Sequence, residues 1–88
     1  MVPIPQAGVE LSELEGESVL YHPERMTMMY LNESANIIWR LCDGRRTVAS
    51  IIDTLAREFP EQANAVAIDV REAIDQFVRE GVVELGEA

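Results

Sequence analysis

Few residues in this chain are able to do acid–base, nucleophilic or metal chemistry. There is one histidine, His22, and one cysteine, Cys42. His22 precedes Pro23 and reads as an exposed turn residue. A general base must sit within hydrogen-bond reach of the proton it takes, and the sequence offers His22 no obvious partner. Cys42 falls beside Leu41 on the inner face of an expected helix. A nucleophilic thiol needs an electropositive, partly exposed setting, so Cys42 reads as a small core residue. One cysteine and one histidine do not make a tetrahedral zinc site without several carboxylates. The segment Cys42-Asp43-Gly44-Arg45-Arg46 has a single glycine and opens no strand–helix unit, so it is no phosphate loop. Arg45-Arg46 is the one adjacent basic pair. It suits a phosphate or an acidic partner, but reads more simply as a solvated loop. The expectation is no enzyme, no metal and no cofactor.

What remains is the chemistry of an unpaired backbone. Met26 to Leu31, MTMMYL, has the composition of a strand with almost no polar face. Met26, Met28 and Tyr30 lie on one side and Thr27, Met29 and Leu31 on the other, because side chains alternate. Such strands are usual where a large α/β protein covers both faces. In 88 residues one face can be core, and the other must be covered by a helix or kept for a binding partner. Methionine is soft and adaptable, which suits binding surfaces. The strand, or the groove beside it, is therefore expected to receive another polypeptide.

The chain is long enough for one domain, burying roughly 60–65% of its unfolded surface. A hydrophobic fraction of 48% supplies one compact core and argues against disorder. No run of about 18 apolar residues marks a membrane span. The start, MVPIPQAG, lacks the basic and apolar regions of a signal peptide. A single cysteine excludes a disulfide framework and fits a reducing cytoplasmic setting. The net charge is −9, with seven arginines and no lysine. Such a chain is repelled by nucleic acid unless its arginines cluster, and is steered toward basic partners.

The elements that would position these residues follow from spacing. Residues 1–8, with Pro3, Pro5 and Gly8, read as a loose arm; 9–85 read as the domain. Val9–Leu14, Ser18–His22 and Met26–Leu31 read as three strands of an antiparallel meander. Their connections are Glu15-Gly16, a tight hairpin turn, and a turn around Pro23. Asn32 is a good N-cap with Glu33 in the first turn. Ala35, Ile38, Leu41 and Cys42 then fall on one helical face. Gly44 is a stop. Thr47 caps a second helix with Val48, Ile51, Ile52, Leu55 and Phe59 apolar, and Pro60 ends it. Asp69 and Glu72 are spaced as a capping box for a third helix to about Glu80. Its apolar positions are Val70, Ala73, Ile74, Phe77 and Val78. Arg71, Asp75 and Val78 share a stripe on that helix. Gly81 ends it, before an extended tail Val82–Leu85. Three strands then three helices make an α+β plan close in order to a winged helix.

Several pieces in order resemble one family. They are Val19-Leu20-Tyr21-His22-Pro23, then Met29-Tyr30-Leu31-Asn32-Glu33-Ser34-Ala35, then Ile38-Trp39-Arg40-Leu41-Cys42-Asp43-Gly44-Arg45-Arg46-Thr47-Val48. Asp69-Val70, Ile74 and Gly81-Val82-Val83 close the pattern. Together, over about residues 9–85, they are similar to the PqqD-like proteins. The resemblance implies a winged-helix-like domain that recognises the leader segment of a ribosomally made precursor peptide. It would pass that peptide to a modifying enzyme or leader peptidase. The leader would lie as an added strand along Met26, Thr27, Met28, Met29, Tyr30 and Leu31. The helix wall would be Val70, Arg71, Ile74, Asp75 and Val78. Members serve pyrroloquinoline quinone and lasso-peptide synthesis; Tyr30 and Trp39 tilt this chain toward the lasso type, with the quinone pathway as the alternative. Two competing readings are a DNA-binding winged helix, opposed by the charge, and a purely structural enzyme subunit. An apolar edge strand also invites a homodimer.

Overall fold

A computed structural model describes residues 1–87. Its sheet is the expected meander. Strand β2 (Glu10–Leu14) pairs antiparallel with β3 (Glu17–His22), which pairs antiparallel with β4 (Thr27–Leu31), in the order β2-β3-β4. The β2–β3 turn is Glu15-Gly16, with φ of 53° and 81°. Two positive φ values in succession match the twist of the flanking strands.

Three helices follow: α1 (Glu33–Leu41), α2 (Val48–Glu58) and α3 (Ala63–Arg79). Asn32 caps α1, its side chain accepting from the Ala35 N–H, and Thr47 caps α2 through the Ser50 N–H. Each cap satisfies a donor that the first turn would otherwise leave unpaired. The third helix starts earlier than spacing suggests. Pro60 opens a single 3₁₀ turn, Pro60–Gln62, that runs directly into Ala63. Proline suits a first helical position, and Ala63, Ala65 and Ala67 are strong helix formers. Asp69 is therefore mid-helix and not a cap.

The N-terminal segment is not a loose arm. Val2–Pro5 is strand β1, paired antiparallel with β5 (Val83–Gly86), Val2 opposite Gly86 and Pro5 opposite Val83. Pro3 and Pro5 sit two apart, so their missing N–H groups fall on one side of β1. A two-stranded ribbon leaves one side without a partner, which tolerates them. The segment is further stitched down: Val48 N–H donates to the Met1 carbonyl at 2.9 Å, and Gln6 N–H to the Val82 carbonyl at 3.0 Å.

The core lies between the inner face of the sheet and the helices. Leu20, Met29 and Leu31 meet Ile38, Ile51 and Leu55, the α3 stripe Val66, Val70, Ile74 and Phe77, and Val82 and Val83. Trp39 packs edge-on against Phe77, ring centroids 5.6 Å apart at 82°, a favoured aromatic geometry. The architecture is α+β, a three-stranded antiparallel sheet and a separate strand pair with three helices. No helix among the described residues is long and apolar enough to cross a membrane.

Candidate functional site

Strand β4 ends its sheet. The C-terminal strand β5 pairs with β1 and not with β4, so one edge of β4 carries no strand among the described residues. Alternation sorts its side chains. Met29 and Leu31 enter the core, whereas Met28 is 62% and Tyr30 69% exposed. Across the pair, Met28 faces Tyr21 and Tyr30 faces Val19. These four side chains form an apolar patch on the outer face of the sheet. Met26, in the turn before β4, is 82% exposed.

Where β4 ends, two cavities begin. The nearer, about 200 Å³, is lined by Asn32, Ser34, Ala35 and Ile38 on one side and by Asp69, Glu72, Ala73 and Gln76 of α3 on the other. The farther, about 270 Å³, lies among α1, the end of α2 and the start of α3, and includes Ile37, Leu55, Phe59, Val66 and Val70. Ser34, Ile38 and Asp69 line both, so the two lie side by side, and together they are called the trough. Its floor is aliphatic and aromatic. Its charged lining residues are Glu33, Asp69 and Glu72, with no arginine or histidine among them.

The expected helix wall is distributed differently. Val70 and Ile74 are buried in the core. At 100° per residue they form the central stripe of α3 with Phe77. Asp69, Ala73 and Gln76 fall on one flank of that stripe; Arg71, Asp75 and Val78 fall on the other. The trough uses the first flank. Arg71 and Asp75 are exposed, and Val78 partly so. The structure thus places Met28 and Tyr30 together on the outer face of β4, and Met26 exposed in the turn before it. It does not bring Arg71, Asp75 or Val78 into the trough. Residues that spacing did not single out as lining are Asn32, Ser34, Asp69, Glu72, Ala73 and Gln76. The available signal was Ala73, a small apolar residue at the margin of the buried stripe.

An anchor fixes β4 against α3. The turn before it is held by Arg25 N–H to the His22 carbonyl and Met26 N–H to the Pro23 carbonyl, at 3.2 and 3.3 Å. From it, Arg25 Nη1 donates to the Glu80 carbonyl at 3.2 Å, satisfying an orphan acceptor at the end of α3. Gly81 next to it has φ of 76°, and a Cβ there would run into the Arg25 guanidinium.

The candidate catalytic residues are embedded. Cys42 is buried, and its thiol donates to the Ile38 carbonyl at 3.3 Å. Burial, and then the neighbouring Asp43 carboxylate, push its pKa up to about 12. Such a thiol stays protonated and a poor nucleophile. His22 is not an exposed turn residue. As the last residue of β3 it alternates inward with Ser18 and Leu20 and is 6% exposed. Its Nδ1 has no hydrogen-bond partner among the described residues. Arg45 and Arg46 belong to a turn organised by Asp43, whose Oδ1 accepts both backbone N–H groups at 2.8 and 2.9 Å. Those bonds, Arg46's first, hold the Asp43 carboxyl below the usual carboxylate range.

Other proteins match this chain in sequence or in fold. A "PqqA binding protein" of Methylococcus capsulatus is 34% identical over 77 residues, covering 88% of this chain and 78% of that protein. A "PqqA binding protein" of Rahnella aquatilis is 47% identical over 58 residues, 66% of this chain and 58% of that protein. The solved structure of "TbiB1 in Complex with the TbiA(beta) Leader Peptide" superposes with a TM-score of 0.78. It spans 97% of this chain and 99% of that one at 20% identity, a likeness of fold. Residues 17–83 match the family described as "PqqD: Coenzyme PQQ synthesis protein D (PqqD)". That stretch runs from the start of β3 to the start of β5 and holds both the open edge and the trough; the chain belongs to the PqqD family.

Proposed function

We propose that this chain is a non-catalytic peptide-binding protein. It captures the leader segment of a ribosomally made precursor by strand addition on β4 and presents it to a modifying enzyme or leader peptidase. The observation that carries this reading is the edge of β4 that no strand covers among the described residues, uncharged along Thr27–Leu31 and tied through the Arg25 turn to the end of α3. An edge of unpaired N–H and C=O groups must be blunted or used. A peptide strand pairs with it through main-chain bonds and gains selectivity from side-chain pockets. One row of peptide side chains would lie beside Met28 and Tyr30, the other toward Asn32, Ala73 and Gln76. Main-chain bonds contribute about 1 kcal/mol each, and two or three apolar anchors roughly 1.5–3 kcal/mol each. Association and ordering cost several kcal/mol or more. The difference corresponds to micromolar to nanomolar binding, suited to a carrier that releases its cargo.

The pathway follows from the precursor. Relatives bearing the name "PqqA binding protein" favour a precursor of the pyrroloquinoline quinone pathway. The lasso-type alternative rests on Tyr30 and on Trp39, which packs on Phe77. No nucleic acid, membrane or cofactor enters this role. A second copy pairing through β4 would compete with the peptide.

The test is a titration of the isotope-labelled protein with synthetic leader peptides of both pathway types, followed by amide NMR. Binding to one, with shifts concentrated on residues 26–32 and on the Asp69–Gln76 flank of α3, is expected. Binding of neither, or shifts confined to the β2 side of the sheet, would overturn the proposal.

A further inference from the structure

The proposed strand site runs out at Leu31, but the surface does not stop there. Asn32 both follows β4 and lines the nearer cavity, so a peptide paired along β4 leads directly into the trough. This inference rests on the strand-addition reading and names what the continuing segment contains. We propose that the trough reads a basic residue next to a bulky apolar one, placed N-terminal to the strand-forming part of the captured peptide.

The order follows from topology. Every pair in the β2-β3-β4 sheet is antiparallel, so an added strand that continues the pattern runs against β4. Its N-terminal end then passes Leu31 and enters the trough. Its C-terminal end leaves past Thr27 and the Met26 turn, toward the solvent beyond the end of α3.

The chemistry follows from the lining. Ile37, Leu55, Phe59, Val66 and Val70 offer an apolar seat in the farther cavity, and removing an apolar side chain from water there is favourable. Three carboxylates line the trough, Glu33 and Asp69 at this cavity and Asp69 and Glu72 at the nearer one. Glu33 sits in the first turn of α1, where a negative charge already answers the helix dipole. Asp69 and Glu72 are in the middle of α3, away from any such compensation, and neither forms an ion pair among the described residues. With no basic lining residue, an acidic peptide segment would meet repulsion. A lysine or arginine would lay its aliphatic stem along the apolar floor and its charge against Asp69 or Glu72. The net charge of −9 works in the same direction at longer range.

The experiment is selection from a display library of random 15-residue peptides, using the full-length protein as bait. It is repeated with Asp69→Asn/Glu72→Gln. Both side chains are exposed, and a matching thermal melt checks that the variant folds. Selected peptides should carry Lys or Arg beside an apolar residue, N-terminal to an alternating segment, at least several-fold above library frequency. For one such peptide, its Arg→Gln form should bind the wild type about ten-fold more weakly, the size of one charge-assisted bond. The same change should be nearly silent against Asp69→Asn/Glu72→Gln, and such a cycle isolates the pair. Peptides selected without basic preference, with it at the C-terminal side, or with it unchanged in the variant, would overturn the inference and leave strand addition standing. No enrichment of any peptide would overturn the strand-addition reading, and this inference with it.

Discussion

The sheet has two edges, and they are built differently. Strand β2 reads Glu10-Leu11-Ser12-Glu13-Leu14, with two carboxylates in five residues; β4 reads Thr27-Met28-Met29-Tyr30-Leu31, with none. Charge is a common way to blunt an edge against unwanted pairing, and β2 has it. Each edge is also tied to a helix by an arginine. Arg40 of α1 bridges Glu13 of β2, and Arg25 reaches from the β4 turn to the Glu80 carbonyl. The strap on β2 consumes one of its charges at a solvent-exposed site. The strap on β4 uses a main-chain acceptor at the end of α3 and leaves the strand's own groups free. The difference teaches that this small sheet charges one margin and leaves the other uncharged. Only a few side chains make that difference.

The most damaging change removes that difference by charging β4. Met28→Asp with Tyr30→Asp replaces two exposed apolar side chains and touches no core contact. If each contributes roughly 1.5–3 kcal/mol to a captured leader, affinity should fall at least a hundred-fold. The melting temperature should move by only a few degrees. Fluorescence polarisation with a labelled leader peptide measures the first, circular dichroism the second. Undiminished affinity would mean the peptide lies elsewhere. Arg71→Glu is the matched control. It stands on the flank of α3 away from the trough, so leader affinity should be unchanged, and a marked loss would mean that both flanks are used.

Next in size is a change to the clamp beside β4. Gly81→Ala places an L-residue at φ of 76°, costing about 1–2 kcal/mol, and drives its Cβ into Arg25. Stability should fall by roughly 2 kcal/mol in urea unfolding, a large share for a small domain. Adding Arg25→Ala should recover the collision but not the backbone strain, so rescue is partial. Full rescue would show that the left-handed geometry is not maintained in solution.

Much of the meander and helix order was legible because its signals are local. Asn32, Thr47 and Glu15-Gly16 announce themselves by type and position, and the uncharged run at β4 is visible in five letters. What was not legible depends on partners distant in the chain. The β1–β5 ribbon joins the segment at Val2 to the one at Gly86, and nothing near Pro3 or Pro5 reveals a strand waiting at the other end. His22 looks like turn chemistry beside Pro23, yet the inward phase of β3 decides its burial. The two flanks of α3 carry similar mixtures of polar residues. Periodicity marks the buried stripe of Val70, Ile74 and Phe77, but which flank meets the end of β4 depends on how the helix docks.

A smaller effect comes from uncharging the protected margin. Glu10→Val with Glu13→Val makes β2 resemble β4 in composition and deletes an exposed ion pair worth no more than about 1 kcal/mol. Monomer stability should barely change. Concentration-dependent association should appear in sedimentation velocity, where the parent chain shows less. Equal self-association of the two would mean that β2 is guarded by its twist or its neighbours, and that its carboxylates serve solubility alone.

The smallest change sharpens the comparison at a single residue. Met26 has φ of 53°, a left-handed conformation that a non-glycine residue occupies at about 1–2 kcal/mol. It also exposes nearly all of its side chain. Gly16 avoids that cost in the β2–β3 turn, whereas Glu15 beside it takes the same φ of 53°. Met26 differs from Glu15 in being apolar, 82% exposed and next to the open edge of β4, which makes its side chain a candidate contact for a bound peptide. Met26→Gly relieves the strain but adds freedom to the unfolded chain, roughly 0.5–1 kcal/mol the other way. Stability should therefore shift by less than about 1 kcal/mol. Leader affinity should nevertheless drop several-fold, because an apolar contact at the exit end of the strand is gone. A stabilised variant with unaltered affinity would assign Met26 to the turn alone and shorten the presented edge to Thr27–Leu31.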